Sequence, residues 1–257
     1  LLRKYDNKSS KVKNKFKLIV LKILLVVVIV AGAAGISSGI GVMKGIIDSA
    51  PDISKIDVTP TGYSTTVLAA NGEETATLVG QGANRQYVTI DEIPLDLQHA
   101  FVAIEDERFY DHNGIDLHGI GRAFISGLSK GRFSEGASTI TQQLIKNNVL
   151  TSWTSETSFV EKLQRKIQEQ YLALELEKQV NDKDWILENY LNTINLGAGA
   201  YGVQAAARQY FDKDVWDLNL SECATLAGIT QNPTKFNPIL NPHSNKKRRK
   251  EVLQHML

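Results

Sequence analysis

The sequence contains a single cysteine, Cys223, so no internal disulfide can form and cysteine usage leaves the redox compartment open. It also has no internal repeat and no low-complexity tract outside one apolar run near its N-terminus. Net charge of one sign is nearly absent, at +1, but that average hides an asymmetry. Residues 1–22 carry eight basic side chains (Arg3, Lys4, Lys8, Lys11, Lys13, Lys15, Lys17 and Lys22) against Asp6 alone, so the rest of the chain is mildly acidic. No basic surface is spread over the body, which excludes a nucleic-acid partner. With 42% hydrophobic and 22% charged residues, global disorder is excluded too. At 257 residues the chain can form one sizeable domain with appendages, or two small ones. It begins with Leu and ends inside a basic, helix-like run (residues 245–257), the pattern expected of a piece of a longer protein.

What is present begins with the apolar run. Residues 18–36 are 19 residues of Leu, Ile, Val, Ala and Gly, interrupted only by Lys22. As a helix at about 1.5 Å per residue they nearly cover the ~30 Å hydrocarbon layer, and Lys22 lies near enough to the end to snorkel. The basic residues cluster on the N-terminal side, so the positive-inside rule predicts a cytoplasmic tail (1–17), a membrane-spanning anchor (18–36) and everything later outside. A cleaved signal peptide is the rival, since Ala31-Gly32-Ala33 resembles a cleavage site. The apolar core is longer than a usual signal core, which favours an uncleaved anchor.

A connector follows over residues 37–64, with a short helical stretch expected at 42–47. Residues 65–70 and 74–80 are β-prone and flank Asn71-Gly72, the dipeptide suited to a two-residue hairpin turn. From Leu95 the pattern turns helical, with Leu97, Phe101 and Ile104 at intervals of three or four. Further helices are expected at 139–148, 159–178, 182–191, 201–210 and 220–229. Pro233, Pro238 and Pro242 should then break regular structure before a basic helix at 246–257. The body (65–257) reads as mainly α with a small β element.

Three polar clusters could carry chemistry. In Glu105-Asp106-Glu107-Arg108-Phe109-Tyr110-Asp111-His112-Asn113-Gly114, four acids crowd the end of an apolar helix. Mutual repulsion and partial burial could make one of them a general base, although a solvated helix end explains the same spacing. In Gly136-Ala137-Ser138-Thr139-Ile140-Thr141-Gln142-Gln143-Leu144-Ile145-Lys146-Asn147, the residues Thr139, Gln142, Gln143, Lys146 and Asn147 share one helical face. Thr139 and Gln142 fit a capping box, and free backbone N–H groups with hydroxyls and a lysine suit a phosphate or sugar. In Arg165-Lys166-Ile167-Gln168-Glu169 the bland reading is a solvated ion pair at i, i+4. There Val160, Leu163, Ile167, Tyr171 and Leu174 form the apolar stripe.

Taken in order, these clusters and the later Lys-x-x-Ile-Leu-x-x-Tyr-Leu-Asn string (183–192) closely resemble the family 51 glycosyltransferases. These are the peptidoglycan polymerase domains of class A penicillin-binding proteins and monofunctional transglycosylases. The stretches 199–207, 222–228 and 231–238 also fit, so the resemblance covers about residues 65–257. It implies a lysozyme-like, mainly α fold with a membrane-dipping lobe. It implies lipid II as substrate, a β-1,4-linked glycan strand as product and undecaprenyl pyrophosphate as leaving group. Glu105 would then be the general base and Glu169 the second catalytic carboxylate. Lys146, Arg165 and Lys166, with Mg²⁺ or a similar divalent cation, would neutralise the leaving group. Ser138, Thr139, Gln142, Gln143 and Asn147 would line the substrate site, while Asp106, Phe109, His112 and Gly114 would shape the loop and orient Glu105. No organic cofactor is expected. Membrane lipids and other cell-wall synthesis proteins are the expected partners. One departure stands out: many relatives carry Lys where this chain has Gln168, and Lys162 could compensate from one turn away. A lysozyme-like hydrolase and an inactive membrane scaffold are the rival readings. Two Ser-x-x-Lys strings (10–13 and 244–247) lie in basic runs without any Lys-Thr-Gly, so they carry no penicillin-site meaning.

Overall fold

The computed structural model describes residues 2–55, 57–78, 84–130 and 136–257, the side chains of 2–16, 55, 66, 74, 77 and 130 excepted. The chain divides into two compact units, Leu1–Ala50 and Pro51–Leu257.

The first unit is one helix, α1 (Leu2–Asp48). Its stretch Lys17–Asp48 has mean hydropathy 2.8 and none of its window is buried, so by length and composition it can cross a membrane. The helix does not stop near Ile36 as the sequence predicts, but continues without interruption to Asp48. Gly39, Gly41 and Gly45 have nothing within 4 Å of a Cβ position, so no contact forces a break there. The glycines and serines that read as a connector are accommodated as helix, as small residues commonly are in apolar spans.

The second unit opens with a hairpin of β1 (Thr65–Leu68) and β2 (Glu74–Leu78), paired antiparallel with Thr65 opposite Leu78 and a bulge at Val67/Leu68. The turn differs from the two-residue Asn-Gly form. Gly72 N–H donates to Ala69 C=O at 2.9 Å, placing Ala70 and Asn71 at the corner and Gly72, at φ +86°, after it. This is the longer loop in which glycine supplies the left-handed residue. Val79 and Gly80, expected to end the second strand, lie outside the described residues.

Seven α-helices then follow in the expected places, with one more, unexpected, between the first two. They are α2 (Leu95–Glu105), α3 (Leu117–Lys130), α4 (Ile140–Asn148), α5 (Phe159–Val180), α6 (Lys183–Thr193), α7 (Val203–Phe211), α8 (Leu220–Ile229) and α9 (Pro242–His255). Side-chain caps set several starts: Thr139, Ser158, Asp182 and Asn219 each accept an N–H from three residues on. Pro242 does not break structure but opens α9 at its first turn, where its missing N–H costs nothing. The core lies where α2 packs on α8 and α9, and α4 packs on α5 and α6. Leu97, Phe101, Ile140, Leu144, Leu172, Leu187 and Tyr190 are fully buried there. Each such side chain contributes roughly 1.5–3 kcal/mol by leaving water.

One helix was not foreseen and one expectation fails. Helix α3 is amphipathic, yet Leu117, Phe124, Ile125 and Leu128 on it are exposed. On α5 the expected apolar stripe is not the packed face: Val160, Leu163 and Leu174 are exposed, while Gln168, Glu169, Leu172, Ala173 and Leu176 are buried. Periodicity locates an apolar face but not what covers it. Here the polar groups turn inward because ion pairs and hydrogen bonds await them.

Candidate active site

A cleft of about 730 Å³ opens between the end of α2, the start of α4, the middle of α5 and the segments around α8 and α9. Its walls include Glu105, Ser138, Gln143, Lys146, Glu169 and Thr230. The four acids of the first cluster do not crowd together. Each of the first three finds its own partner. Glu105 accepts from Gln143 Nε2 at 2.7 Å and from Thr230 Oγ1. Asp106 accepts from the Ile140 N–H at 3.0 Å and pairs with His112 Nε2 at 2.9 Å. Glu107 meets Arg108 and Arg122.

Asp106 therefore holds the first N–H of α4, where a negative charge also suits the helix dipole. Thr139 takes another, accepting from Gln142 N–H at 3.2 Å. These N–H groups are not left free for a phosphate, contrary to the sequence expectation. Thr139 and Gln142 are almost wholly buried and tie α4 to the preceding loop. The Thr139 hydroxyl and the Gln142 amide both donate to the Gly114 carbonyl, at 2.8 and 3.1 Å. Gly114 can only be glycine: its φ is +85°, and a Cβ would lie 2.6 Å from the Ala173 carbonyl oxygen. Phe109 is fully buried, with the Lys183 ammonium 4.5 Å above its ring. Lys183 also donates to the His112 carbonyl and to Glu177, each at 2.6 Å. Asp106, Phe109, His112 and Gly114 thus shape the loop, but the groups that touch the Glu105 carboxylate are Gln143 and Thr230.

Two residues of this set were not singled out from sequence. Tyr190, inside the Lys-x-x-Ile-Leu-x-x-Tyr-Leu-Asn string, is fully buried, and burial followed by the charges of Glu105 and Asp106 pushes its phenol well above the usual range. Its O–H faces Gln143 Oε1 at 3.4 Å, which turns the Gln143 amide so that its NH₂ meets Glu105. Thr230 follows α8, between two family-like stretches. Its hydroxyl approaches both Glu105 and, at 2.9 Å, the Ala227 carbonyl. One hydroxyl proton cannot serve both acceptors at once.

Glu169 sits on α5, 1% exposed. Arg165 Nη1 and Lys166 Nζ donate to its two oxygens, the latter at 2.9 Å. Lys166 also donates to Ser138 Oγ at 2.7 Å and Gln142 Oε1 at 3.1 Å. The pair read as a possible solvated ion pair is therefore part of a buried network. Arg165 and Lys166 do not line the cleft wall; they stand behind Glu169 and Ser138. Carboxylate partners outweigh burial and hold the Arg165 guanidinium above its usual range. Lys146 does line the cleft. Among the described residues it is the cleft-lining lysine or arginine without a carboxylate partner; Arg108, Arg122 and Arg248 each have one. Burial lowers its pKa, opposed by the charges of Glu169 and Glu105. Asn147 is not on the cleft wall. Its neighbour Asn148 donates instead to the Val58 carbonyl and Thr193, at 2.5 and 3.0 Å. Lys162 is exposed and away from the cleft, and Gln168 faces a separate hollow beside Glu156, so Lys162 does not replace the missing charge.

Among the described residues no cluster of three or more His, Cys, Asp or Glu side chains could hold a metal. Glu105 and Glu169 already accept bonds from protein donors. The described residues do not fit a Mg²⁺ site built from protein side chains alone.

The profile of the transglycosylase family matches residues 71–257. Penicillin-binding protein 1A/1B of Bacillus subtilis is 39% identical over 99% of this chain and 27% of its own length. Penicillin-binding protein 1F of the same organism is 45% identical over 74% of this chain and 25% of its own. Penicillin-binding protein 1A of Clostridium perfringens is 52% identical over 66% of this chain and 25% of its own. The chain spans about a quarter of the length of these curated relatives. The crystal structure of penicillin-binding protein 1A from Haemophilus influenzae aligns at 24% identity over 77% of this chain and 18% of that one, with a TM-score of 0.38. The chain belongs to the transglycosylase family, and its body is a glycosyltransferase domain of the kind found in class A penicillin-binding proteins.

Proposed function

We propose that this domain polymerises the lipid-linked disaccharide lipid II into β-1,4-linked glycan strands and releases undecaprenyl pyrophosphate. One observation carries the reading: a single cleft holds a carboxylate with neutral partners, Glu105, and a lysine without an ionic partner, Lys146. Glu105 takes the proton from the acceptor's 4-hydroxyl. The freed oxygen attacks the donor's anomeric carbon with inversion, and the bond from that carbon to the pyrophosphate oxygen breaks. Negative charge then grows on the leaving pyrophosphate, where the Lys146 ammonium lowers its energy, while Arg165 and Lys166 hold Glu169 from behind the cleft wall. Thr230 suits both states of the base. It donates to the Glu105 carboxylate before transfer; afterwards it accepts from the carboxylic acid and donates to the Ala227 carbonyl. A divalent cation, where one takes part, arrives with the substrate's phosphates.

The apolar helix anchors the protein with its basic end in the cytoplasm, and the catalytic body works outside. Exposed Phe124, Ile125 and Leu128 on α3 suit contact with lipid, which a lipid-linked substrate requires. The hydrolase reading is disfavoured because cleaving a glycosidic bond needs no lysine kept free of carboxylate partners for a departing pyrophosphate. Incubating the full chain in detergent with labelled lipid II tests the choice. Long glycan strands and free polyprenyl pyrophosphate are expected. Soluble fragments from preformed glycan, with no polymer from lipid II, would sink it.

A further inference from the structure

Between α4 and α5 the chain makes a short 3-10 turn, Thr151–Ser155, followed by Glu156 in extended conformation. No motif covers this segment, yet it touches Lys146, which lines the cleft, and Arg165, which stands behind Glu169. The Trp153 ring lies 4.9 Å from the Lys146 ammonium. Both Glu156 oxygens accept from Arg165 Nε, at 2.8 and 2.9 Å. Arg165 in turn holds Glu169. We propose that the segment Thr151–Glu156 is a positioning strap: Trp153 holds the ammonium of Lys146 toward the cleft, and Glu156 fixes Arg165 and through it Glu169. The inference rests on the glycosyltransfer reading of the cleft.

The strap is built, not slack. At its start the Val149 and Leu150 N–H groups both donate to the Ile145 carbonyl, at 2.9 and 3.1 Å, and the Trp153 N–H donates to the Leu150 carbonyl at 3.2 Å. At its end the Thr157 and Ser158 N–H groups donate to Glu161, at 3.0 and 2.9 Å. Between these ties a hollow of about 260 Å³ separates strap from helix, lined by Leu150, Ser152, Ser155, Gln164 and Gln168 among others. With that hollow behind it, the strap's hold on α5 runs through Arg165 Nε, whose N–H is shared by both Glu156 oxygens in a charge-assisted contact. Glu156 is mostly buried, its side chain 11% exposed, so solvent competes weakly for Arg165.

The aromatic contact has its own logic. A carboxylate beside Lys146 would hold it as firmly but would cancel the charge meant for a pyrophosphate. A ring face attracts the cation through its quadrupole and adds no net charge. It also shields one side of the ammonium, in line with the burial that lowers the lysine's pKa. Trp153 and Glu156 do not touch the reacting atoms; they act through Lys146, Arg165 and Glu169.

The test uses the full chain in detergent micelles, with lysines carrying ¹³C-methyl labels and the Lys146 signal assigned by Lys146→Arg. The signal should be displaced upfield by the Trp153 ring current and should titrate below the exposed lysines. Trp153→Ala should remove the displacement and move the midpoint up toward ordinary lysine, whereas Trp153→Phe should keep most of both. In polymerisation assays Glu156→Gln and Trp153→Ala should each lower kcat about tenfold, with KM within about twofold. Glu156→Asp and Trp153→Phe should recover most of the loss. A Lys146 signal unmoved by Trp153→Ala, or parental kcat in both disruptive variants, overturns the strap. A chain that makes no polymer even before substitution sinks the glycosyltransfer reading instead, and the lysine signal still decides the Trp153 arm.

Discussion

Two carboxylates of the cleft, Glu105 and Glu169, are held in opposite ways. Glu105 receives an amide and a hydroxyl, both neutral, supplied by α4 and by the residue after α8. Glu169 receives a guanidinium and an ammonium from its own helix, each tied further to Glu156, Ser138 or Gln142. A carboxylate with neutral donors is oriented yet keeps a net charge with which to take a proton. A carboxylate held by a guanidinium and an ammonium has its charge balanced and fixes those cations in place. Under the proposed reaction, the first takes the proton and the second orders the charged groups behind Lys146.

Breaking the charged side should have the larger effect on the fold. Glu169→Gln leaves Arg165 and Lys166 facing each other without their shared counter-charge. Removing one partner of a buried pair costs about 3–5 kcal/mol, and the part exposure of both cations favours the lower end. Thermal unfolding should show that loss, and polymer formation should fall by at least about a hundredfold. The neutral side is expected to respond more gently. Tyr190→Phe removes the donor to Gln143 Oε1, so the amide loses one constraint and Glu105 one fixed partner. Stability should drop by about 1 kcal/mol and kcat by several-fold with KM unchanged, read by steady-state kinetics.

The smallest effect lies at the rim, where the comparison can be sharpened by pH. Its hydrogen bond to Arg108 holds the Asp116 carboxyl down at about 2, against the opposing effect of burial. A lowered folded-state pKa gives stability that is present above the unfolded value near 3.9 and lost as pH falls toward 2. Asp116→Asn should therefore melt about 2–4 °C lower at neutral pH, for a part-exposed pair worth about 1 kcal/mol. That gap should close between about pH 4 and pH 2. A gap that persists at pH 2 would contradict an ionic origin.

Much of this was legible in sequence because it is local. The caps at Thr139, Ser158 and Asp182 mark helix starts within one turn, and Leu220–Ile229 falls where its periodicity places it. The order of the polar clusters identified the family and brought Glu105, Lys146 and Glu169 to one cleft. What was not legible depends on contacts between segments distant along the chain. Thr230 reaches Glu105 across 125 positions, and nothing in its own neighbourhood announces that contact. Helix α5 misled because Glu169 and Gln168 face inward, where Arg165, Lys166 and Glu156 receive the charge; an apolar stripe alone predicts the reverse. Helix α3 was missed because its apolar side chains are not buried by the rest of the body, so no core pattern frames them. Helix α1 runs on past residue 36, where glycine and serine read as a connector, because such residues are accommodated within a helix.

The central claim is that Glu105, oriented by neutral donors, is the base. The most direct measurement is the single-turnover rate of Glu105→Gln with lipid II, using the full chain in detergent beside the parent. Gln keeps the shape: its one amide oxygen can accept from Gln143 while its NH₂ donates to the Thr230 hydroxyl, which turns its own proton to the Ala227 carbonyl, so melting temperature should hold. The account predicts a fall in rate of about 10²–10⁴-fold, the usual range for a lost general base. A rate within about threefold of the parent would contradict it.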